Sequence, residues 1–437
     1  MDLNNIKRNQ LDYILTDMLP TELSERFTFF YFYEFLMTKR KELKQMNNFL
    51  ISVKNKYKTG VMFEGGGSGH GGHKGNNWVT MPLKYSIMKE LHTEREISLL
   101  QPIAAVELFA FVSIYQKELI NLLDMNSIFS LRHHHKNNEL CYKNKNKSIT
   151  KYFAVESAQI DKDLIEKTGM FFDIKPYKSI ASFTSSEEWL VLNSKYRYFI
   201  RTDYKACFDS IYTHTFKWLI GKDVNDTKDF KNTNIYTTID RILQNINART
   251  SNGIVVGPEF SRMIAEILLQ AIDRTVYSKL LNSGKAVGEN YNVYRFVDDI
   301  FIFAESEELA NEIVQIYSEI SAKYLLRLNE GKLYKNTVPF VLDEWINETS
   351  IFANRTSTCL FRTKEEQEIW LQKEKQNSPE KEVVPHILKS RALYYSKRSI
   401  MNQLNELICE YPSKDRTIVA YFLGTILNKV SRTKENV

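Results

Sequence analysis

Apolar residues change their spacing several times along this chain. In LDYILTDMLPTELSERFTFFYFYEFLMTKRKELKQMNNFLISVKNKY, residues 11–57, they recur near every third or fourth position, the period of a helix with one apolar stripe. Pro20, followed by the good cap residue Thr21, divides that stretch into two predicted helices. Seven of the chain's 16 glycines then fall between residues 65 and 75, so EGGGSGHGGHKGNN is a predicted loop. His70 and His73 in it have no cysteine or acid nearby, which argues against a metal site there. A short β-ribbon is predicted over WVTMPLKYSIMKELHTEREISLLQP, then a helix over 103–123. LRHHHKNNELCYKNKNKSITKYF, with Arg132 and five lysines, reads as a solvated basic loop suited to touching nucleic acid.

From about 183 to 345 helix and strand periods alternate. A helix at 185–195 leads into the strand YRYFIRTDY; helices are predicted at 210–220, 257–281 and 306–324, a strand pair at 293–303 and a short strand near 325–334. Residues 346–437 read as helical and polar, with a charged stretch at 363–385. The expected class is α+β, with helical regions at both ends.

Composition adds little to that picture. Hydrophobic residues make up 43% and charged residues 26%, ordinary for a globular chain. A net charge of +6 is compatible with nucleic acid without requiring it. Cys141, Cys207, Cys359 and Cys409 lie far apart with no CxxC spacing, as expected of reduced thiols in the cytoplasm. No apolar run approaches the roughly 20 residues that span a bilayer, and the first 20 residues lack the pattern of a secretion signal.

The strand YRFVDDIFIF, residues 294–303, carries the chemistry. Asp298 and Asp299 interrupt a run of aromatic and β-branched residues, where a buried carboxylate is costly unless paired or bound to metal. A partner is available in FIRTDYKACFDSIYTH, which places Asp203 at the end of another predicted strand. Carboxylates brought together from two neighbouring strands repel unless a cation lies between them. Asp oxygens suit Mg²⁺ or Mn²⁺ rather than zinc. A pair of Asp residues alone is more often a solvated turn; order and context are what change the reading. Asp209 is expected to cap the following helix.

In order, DYKACFDSIYTH, GIVVGPEFSRMIAEILL, YRFVDD and LNEGKLY resemble the successive palm motifs of reverse transcriptases, over roughly residues 80–345. The GPxxSRxxAE form and the SIYTH continuation are similar to the bacterial antiphage reverse transcriptases of the abortive-infection (Abi) and defence-associated (DRT) groups. The resemblance implies a right-hand polymerase: a helical N-terminal region over 1–75, fingers over 76–182, palm over 183–345, and a helical thumb or assembly region over 346–437. It implies Asp203, Asp298 and the Tyr204 carbonyl as ligands of Mg²⁺ (or Mn²⁺), with Asp299 as the supporting acid. Phe208 matches the ring that excludes a ribose 2′-OH, implying dNTPs as substrates and DNA as product. Lys332 matches the lysine that protonates departing pyrophosphate, and Lys84 and Arg95 match triphosphate-binding residues of the fingers, with Lys89 or Arg132 as the alternatives. The resemblance also implies that Gly257 opens the template-side helix and is a nucleotide-binding residue. Partners implied are a noncoding RNA and a second reverse transcriptase or further copies of the chain; some members of these groups polymerise without a template. Val255-Val256 stands where many templated relatives carry Pro-Gln, so untemplated or protein-primed transfer is the alternative activity. A third alternative is a non-catalytic nucleic-acid-binding subunit.

Overall fold

The computed structural model describes residues 10–20, 29–38, 79–90, 93–125, 127–136, 171–220, 234–338, 344–377, 389 and 392–432. The chain divides into two compact units, Met1–Tyr85 with Glu96–Phe340, and Ser86–Arg95 with Val341–Val437. The Gly-rich run and most of the basic stretch that follows residue 136 lie outside the described residues.

Near the N-terminus are the short helices α1 (Tyr13–Thr16) and α2 (Phe30–Thr38). A two-stranded ribbon follows, β1 (Leu83–Glu90) with β2 (Thr93–Leu99), then the long helix α3 (Pro102–Met125). The predicted basic loop at 131–153 is corrected in its first residues. Arg132–Lys136 is a strand, β3, paired antiparallel with β4 (Phe172–Pro176). Pairing gives these residues the alternation of a strand, so Arg132 and His134 are buried while His133 and His135 are half-buried. Charge density alone suggested solvent and concealed this alternation.

Helices α4 (Ile180–Thr184) and α5 (Glu187–Lys195) lead into β5 (Tyr198–Asp203). The expected helix at 210–220 is two single turns, α6 (Cys207–Ser210) and α7 (Thr215–Trp218). Asp209 lies inside α6, whose cap position is Ala206 in the left-handed region at φ 45°, so Asp209 is not a helix cap. Next come α8 (Ile235–Asn245), opened by an Asn234–Thr237 capping box, and α9 (Glu259–Asn282). A hairpin of β6 (Tyr291–Phe296) and β7 (Asp299–Ala304) precedes α10 (Glu307–Lys323). The short strand expected near 325–334 falls slightly later, as β8 (Tyr334–Thr337), after a 3₁₀ turn at Glu330–Lys332.

Strands β6–β7–β5–β8 form one antiparallel sheet in that order. Both faces of the two central strands are covered, which explains the near-continuous apolar run of β7. On one face Ile200, Ile300, Ile302 and Val293 join the core that includes α9 and α10 residues such as Leu269, Ile272 and Ile313. On the other, Phe199, Phe301 and Phe303 meet Trp189 and Phe183 in edge-on aromatic contacts.

In the second unit, α11 (Glu344–Leu360), α12 (Lys364–Asn377), α13 (Ala392–Glu410) and α14 (Asp415–Arg432) follow one another. A small core of Phe352, Ala353, Leu407, Ile418 and Phe422 joins three of them, with Phe352 and Phe422 stacked at 4.8 Å. No helix among the described residues is long and apolar enough to cross a membrane.

Candidate active site

Antiparallel pairing of β5 with β7 sets Asp203 opposite Asp299. Directly opposed residues of such a pair have Cβ atoms about 5 Å apart, so the two acids share one end of one face of the sheet. β6 pairs with β7 as far as Phe296 and Asp299, leaving Val297-Asp298 as a two-residue turn. Val297 has φ 56° while Asp298 does not share a positive φ, the signature of a II′ hairpin turn. A β-branched residue in that region carries strain of about 1–3 kcal/mol, so its surroundings must hold it there.

Asp203 is buried, and its two oxygens differ. Oδ2 accepts from Lys332 Nζ at 2.7 Å, whereas Oδ1 is buried without a hydrogen-bond partner. The 3₁₀ turn presents Lys332, anchored by the Asn329 N–H donating to the Asp203 carbonyl at 2.8 Å. Lys332 has its pKa raised, chiefly by its hydrogen bond to Asp203, with Asp299 and Asp298 adding to the pull. Asp299 Oδ1 accepts from Arg201 Nε at 3.2 Å and NH2 at 3.0 Å, and the same guanidinium lies 5.5 Å from the Phe301 ring centre. Asp298 is half-buried at the turn. Burial pushes the Cys207 thiol pKa up, and the charges of Asp298, Glu266 and Asp203 add to this while Arg295 opposes it.

Phe208 is half-buried on α6, four residues past the buried Tyr204, and its carbonyl accepts from the Ile254 N–H at 2.9 Å. The Tyr204 hydroxyl lies 3.0 Å from Ser321 Oγ, which anchors the residue next to Asp203. Gly257 has φ 124°, and a Cβ there would come within 2.6 Å of Pro20 Cγ and 3.0 Å of Ile97 Cγ2. Close backbone packing therefore requires glycine at this position. Lys84 is exposed and paired with Glu96 at 2.6 Å, and Arg95 is exposed on β2 within the second unit. Asp203, Asp299 and Lys332 are thus brought together, while the described partners of Lys84 and Gly257 lie elsewhere.

Two arginines of the site escaped the reading of the sequence. One is Arg201. The other is Arg295, fully buried together with Glu266 and Asp273 of α9. The signal was present: Arg295 continues the alternation of Tyr291 and Val293 onto the buried face of β6. Glu266 and Asp273, seven apart, fall on one helical face.

Among the described residues, no three His, Cys, Asp or Glu side chains converge as a metal site, and Asp299 is turned toward Arg201. The unpartnered, buried Oδ1 of Asp203 is nevertheless the kind of oxygen that a hard divalent cation satisfies, with Asp298 in the adjoining turn as a second donor.

The family model of the reverse transcriptase (RNA-dependent DNA polymerase) matches residues 130–355, just over half of the chain. The chain belongs to this family. Solved structures similar to it include telomerase from Candida albicans in complex with a TWJ fragment of telomeric RNA, at 12% identity and TM-score 0.28, covering 57% of this chain and 48% of that one. Apo telomerase from Candida tropicalis is 14% identical with TM-score 0.32, covering 67% and 50%. The chain therefore spans about half the length of these telomerase chains. No curated protein sequence matches it.

Proposed function

We propose that this chain is a divalent-metal-dependent polymerase of the reverse-transcriptase type, which adds deoxynucleoside monophosphates along a noncoding RNA template in cytoplasmic antiphage defence. The observation that carries the reading is the cross-strand pair Asp203–Asp299 beside the Asp298 turn, with Asp203 Oδ1 buried and unpartnered. Asp203 and Asp298, with the Tyr204 carbonyl, would hold Mg²⁺ or Mn²⁺. Such ions activate the attacking hydroxyl and stabilise the leaving oxygens of pyrophosphate. Arg201 neutralises Asp299 and orients the strand end. Lys332, kept protonated beside Asp203, suits delivery of a proton to pyrophosphate, a role worth about 10²-fold or more. Phe208 would pack under the incoming sugar, and Lys84 would contact the triphosphate. Support for the defence role is the GPxxSRxxAE and SIYTH resemblance.

One observation favours a second reading, untemplated transfer, primed by nucleic acid or by a tyrosine. Val256, just before α9, stands where many templated relatives carry the glutamine; it is half-buried and offers no polar side chain to a template. Incubating the protein with Mg²⁺ and each labelled dNTP, with and without RNase, separates the two. RNase-sensitive product of defined sequence supports the first; RNase-resistant product attached to protein supports the second. Asp203→Asn and Asp298→Asn are each expected to lower incorporation at least 10³-fold, the equivalent of several kcal/mol of lost transition-state stabilisation. Unchanged incorporation in either folded variant sinks both readings.

A further inference from the structure

Arg295 has zero exposure, and its guanidinium makes four hydrogen bonds and a further ion-pair contact. Nε and NH2 reach Asp273 Oδ2 at 2.8 and 2.7 Å, and NH1 and NH2 reach Glu266 Oε1 and Oε2 at 2.9 and 3.0 Å. The remaining NH1 proton goes to the main chain, to the Val297 carbonyl at 2.8 Å. Both carboxylates are fixed in turn. Ser130 Oγ and Gln270 Nε2 donate to Glu266 at 2.9 and 3.3 Å, and the Tyr317 hydroxyl donates to Asp273 at 2.9 Å. The backbone of Arg295 is clamped as well, its N–H donating to the Phe129 carbonyl at 2.7 Å and its carbonyl accepting from Leu131 at 2.8 Å. The guanidinium cannot rotate without breaking charged hydrogen bonds in the buried interior.

Its main-chain acceptor is the carbonyl of the residue held at φ 56°, in the peptide that joins Val297 to Asp298. The orientation of that peptide plane sets the direction in which Asp298 leaves the turn. A buried N–H needs an acceptor for stability alone; here that acceptor is the carbonyl of the strained turn, so the same bond also fixes the peptide that carries Asp298.

We infer that Arg295, braced by Glu266 and Asp273, is a positioning residue that holds the strained Val297-Asp298 turn through the Val297 carbonyl and so aims Asp298 toward Asp203. The inference rests on the polymerase reading for its catalytic consequence, but the hold on the turn is independent of it.

The test compares the full-length chain with Arg295→Lys, and with Arg295→Lys combined with Val297→Gly. Readouts are thermal unfolding, the split between kcat and the dNTP KM, and amide hydrogen exchange at residues 296–299. In Arg295→Lys, kcat is expected to fall about 10- to 100-fold with KM changed less than about threefold, the usual size of a positioning loss behind a metal ligand. Exchange in the turn is expected to quicken at least about tenfold relative to β5. Glycine adopts positive φ without help, so the double variant should regain most of the lost kcat. Unchanged kcat and unchanged turn exchange in folded Arg295→Lys overturn the inference, as does a double variant no more active than the single. If the wild-type chain incorporates nothing, the polymerase reading fails, and exchange at 296–299 alone decides the hold on the turn. If Arg295→Lys does not fold, Glu266→Gln, which loosens the brace while keeping its volume, is read for the same outcomes.

Discussion

Two groups of charges approach the Phe296–Asp299 turn from opposite faces of the sheet, and they are built for different work. On one face Arg295, Glu266 and Asp273 have no exposure at all. On the other, Lys332 and Arg201 pair with Asp203 and Asp299, and the Lys332 side chain is 57% exposed. Sealed charges cannot trade partners with water, so they fix a geometry. Half-exposed charges exchange partners readily, which suits the proposed catalytic face. Breaking the sealed group should therefore cost stability together with the aim of the turn it holds, and breaking the open group should cost activity with little stability.

The sharpest way to break this contrast is Arg295→Met. Removing the cation strands two carboxylates in the core, and loss of one partner from a buried ion cluster costs about 3–5 kcal/mol. Urea unfolding should show a loss of that size in Arg295→Met. Replacing all three residues, as Arg295→Met, Glu266→Leu and Asp273→Leu together, should restore most of it. A cost below about 1 kcal/mol for Arg295→Met alone would mean that the network is not sealed.

A second sealed group sharpens the picture. Glu259, at the start of α9, is paired with Arg132 and with Arg262 at 3.2 Å, and His134 Nε2 lies 3.8 Å away. Arg132 also sits 5.3 Å from the Phe296 ring centre, so this group too supports the hairpin. Burial pushes the Glu259 carboxyl up, but Arg132, His134 and Arg262 outweigh it and bring the pKa down from 4.5 to about 2. The unfolded chain thus binds the proton more tightly. Stability from Glu259 is fully present above pH 4.5 and is lost as pH falls toward 2, a change of about 3 kcal/mol. Glu259→Gln removes that titration. The difference in unfolding free energy between wild type and Glu259→Gln should shift by that amount between pH 5.5 and 2, and a constant difference would refute it.

How legible these two faces were in the sequence follows from their physics. The open face was readable because its acids violate the strand pattern: Asp298-Asp299 in an apolar run has few explanations apart from metal or a turn. Asp203, Lys332 and Phe208 followed from motif order. The sealed face was hidden for the opposite reason. Arg295 sits on the buried side of a regular strand, and nothing in one sequence says which acids across the fold neutralise it; Glu266 and Asp273 are about 20–30 residues away. Arg132 and His134 were missed because a basic cluster reads as solvated until pairing with β4 buries alternate side chains. Helices with strong periods, such as Glu259–Asn282 and Glu307–Lys323, fell within a few residues of their expected bounds. The segment after Asp203 did not, since its two short helical turns are set by contacts with residues 251–254 rather than by local propensity.

The smallest expected effect is the most telling for the open face. Lys332 has its pKa raised above 10.5 by the hydrogen bond to Asp203, so the pair contributes stability below pH 10.5 and loses it as pH rises through the elevated value. At neutral pH that contribution is fully present, but water reaches more than half of the lysine side chain. Screening holds such pairs to about 1 kcal/mol or less. Lys332→Met should therefore unfold within about 1 kcal/mol of wild type in 0.1 M salt, and the difference should narrow as salt rises and the Debye length shortens. A loss comparable with that of Arg295→Met would show that Lys332 is a structural clamp on Asp203, and the division of labour between the two faces would not hold.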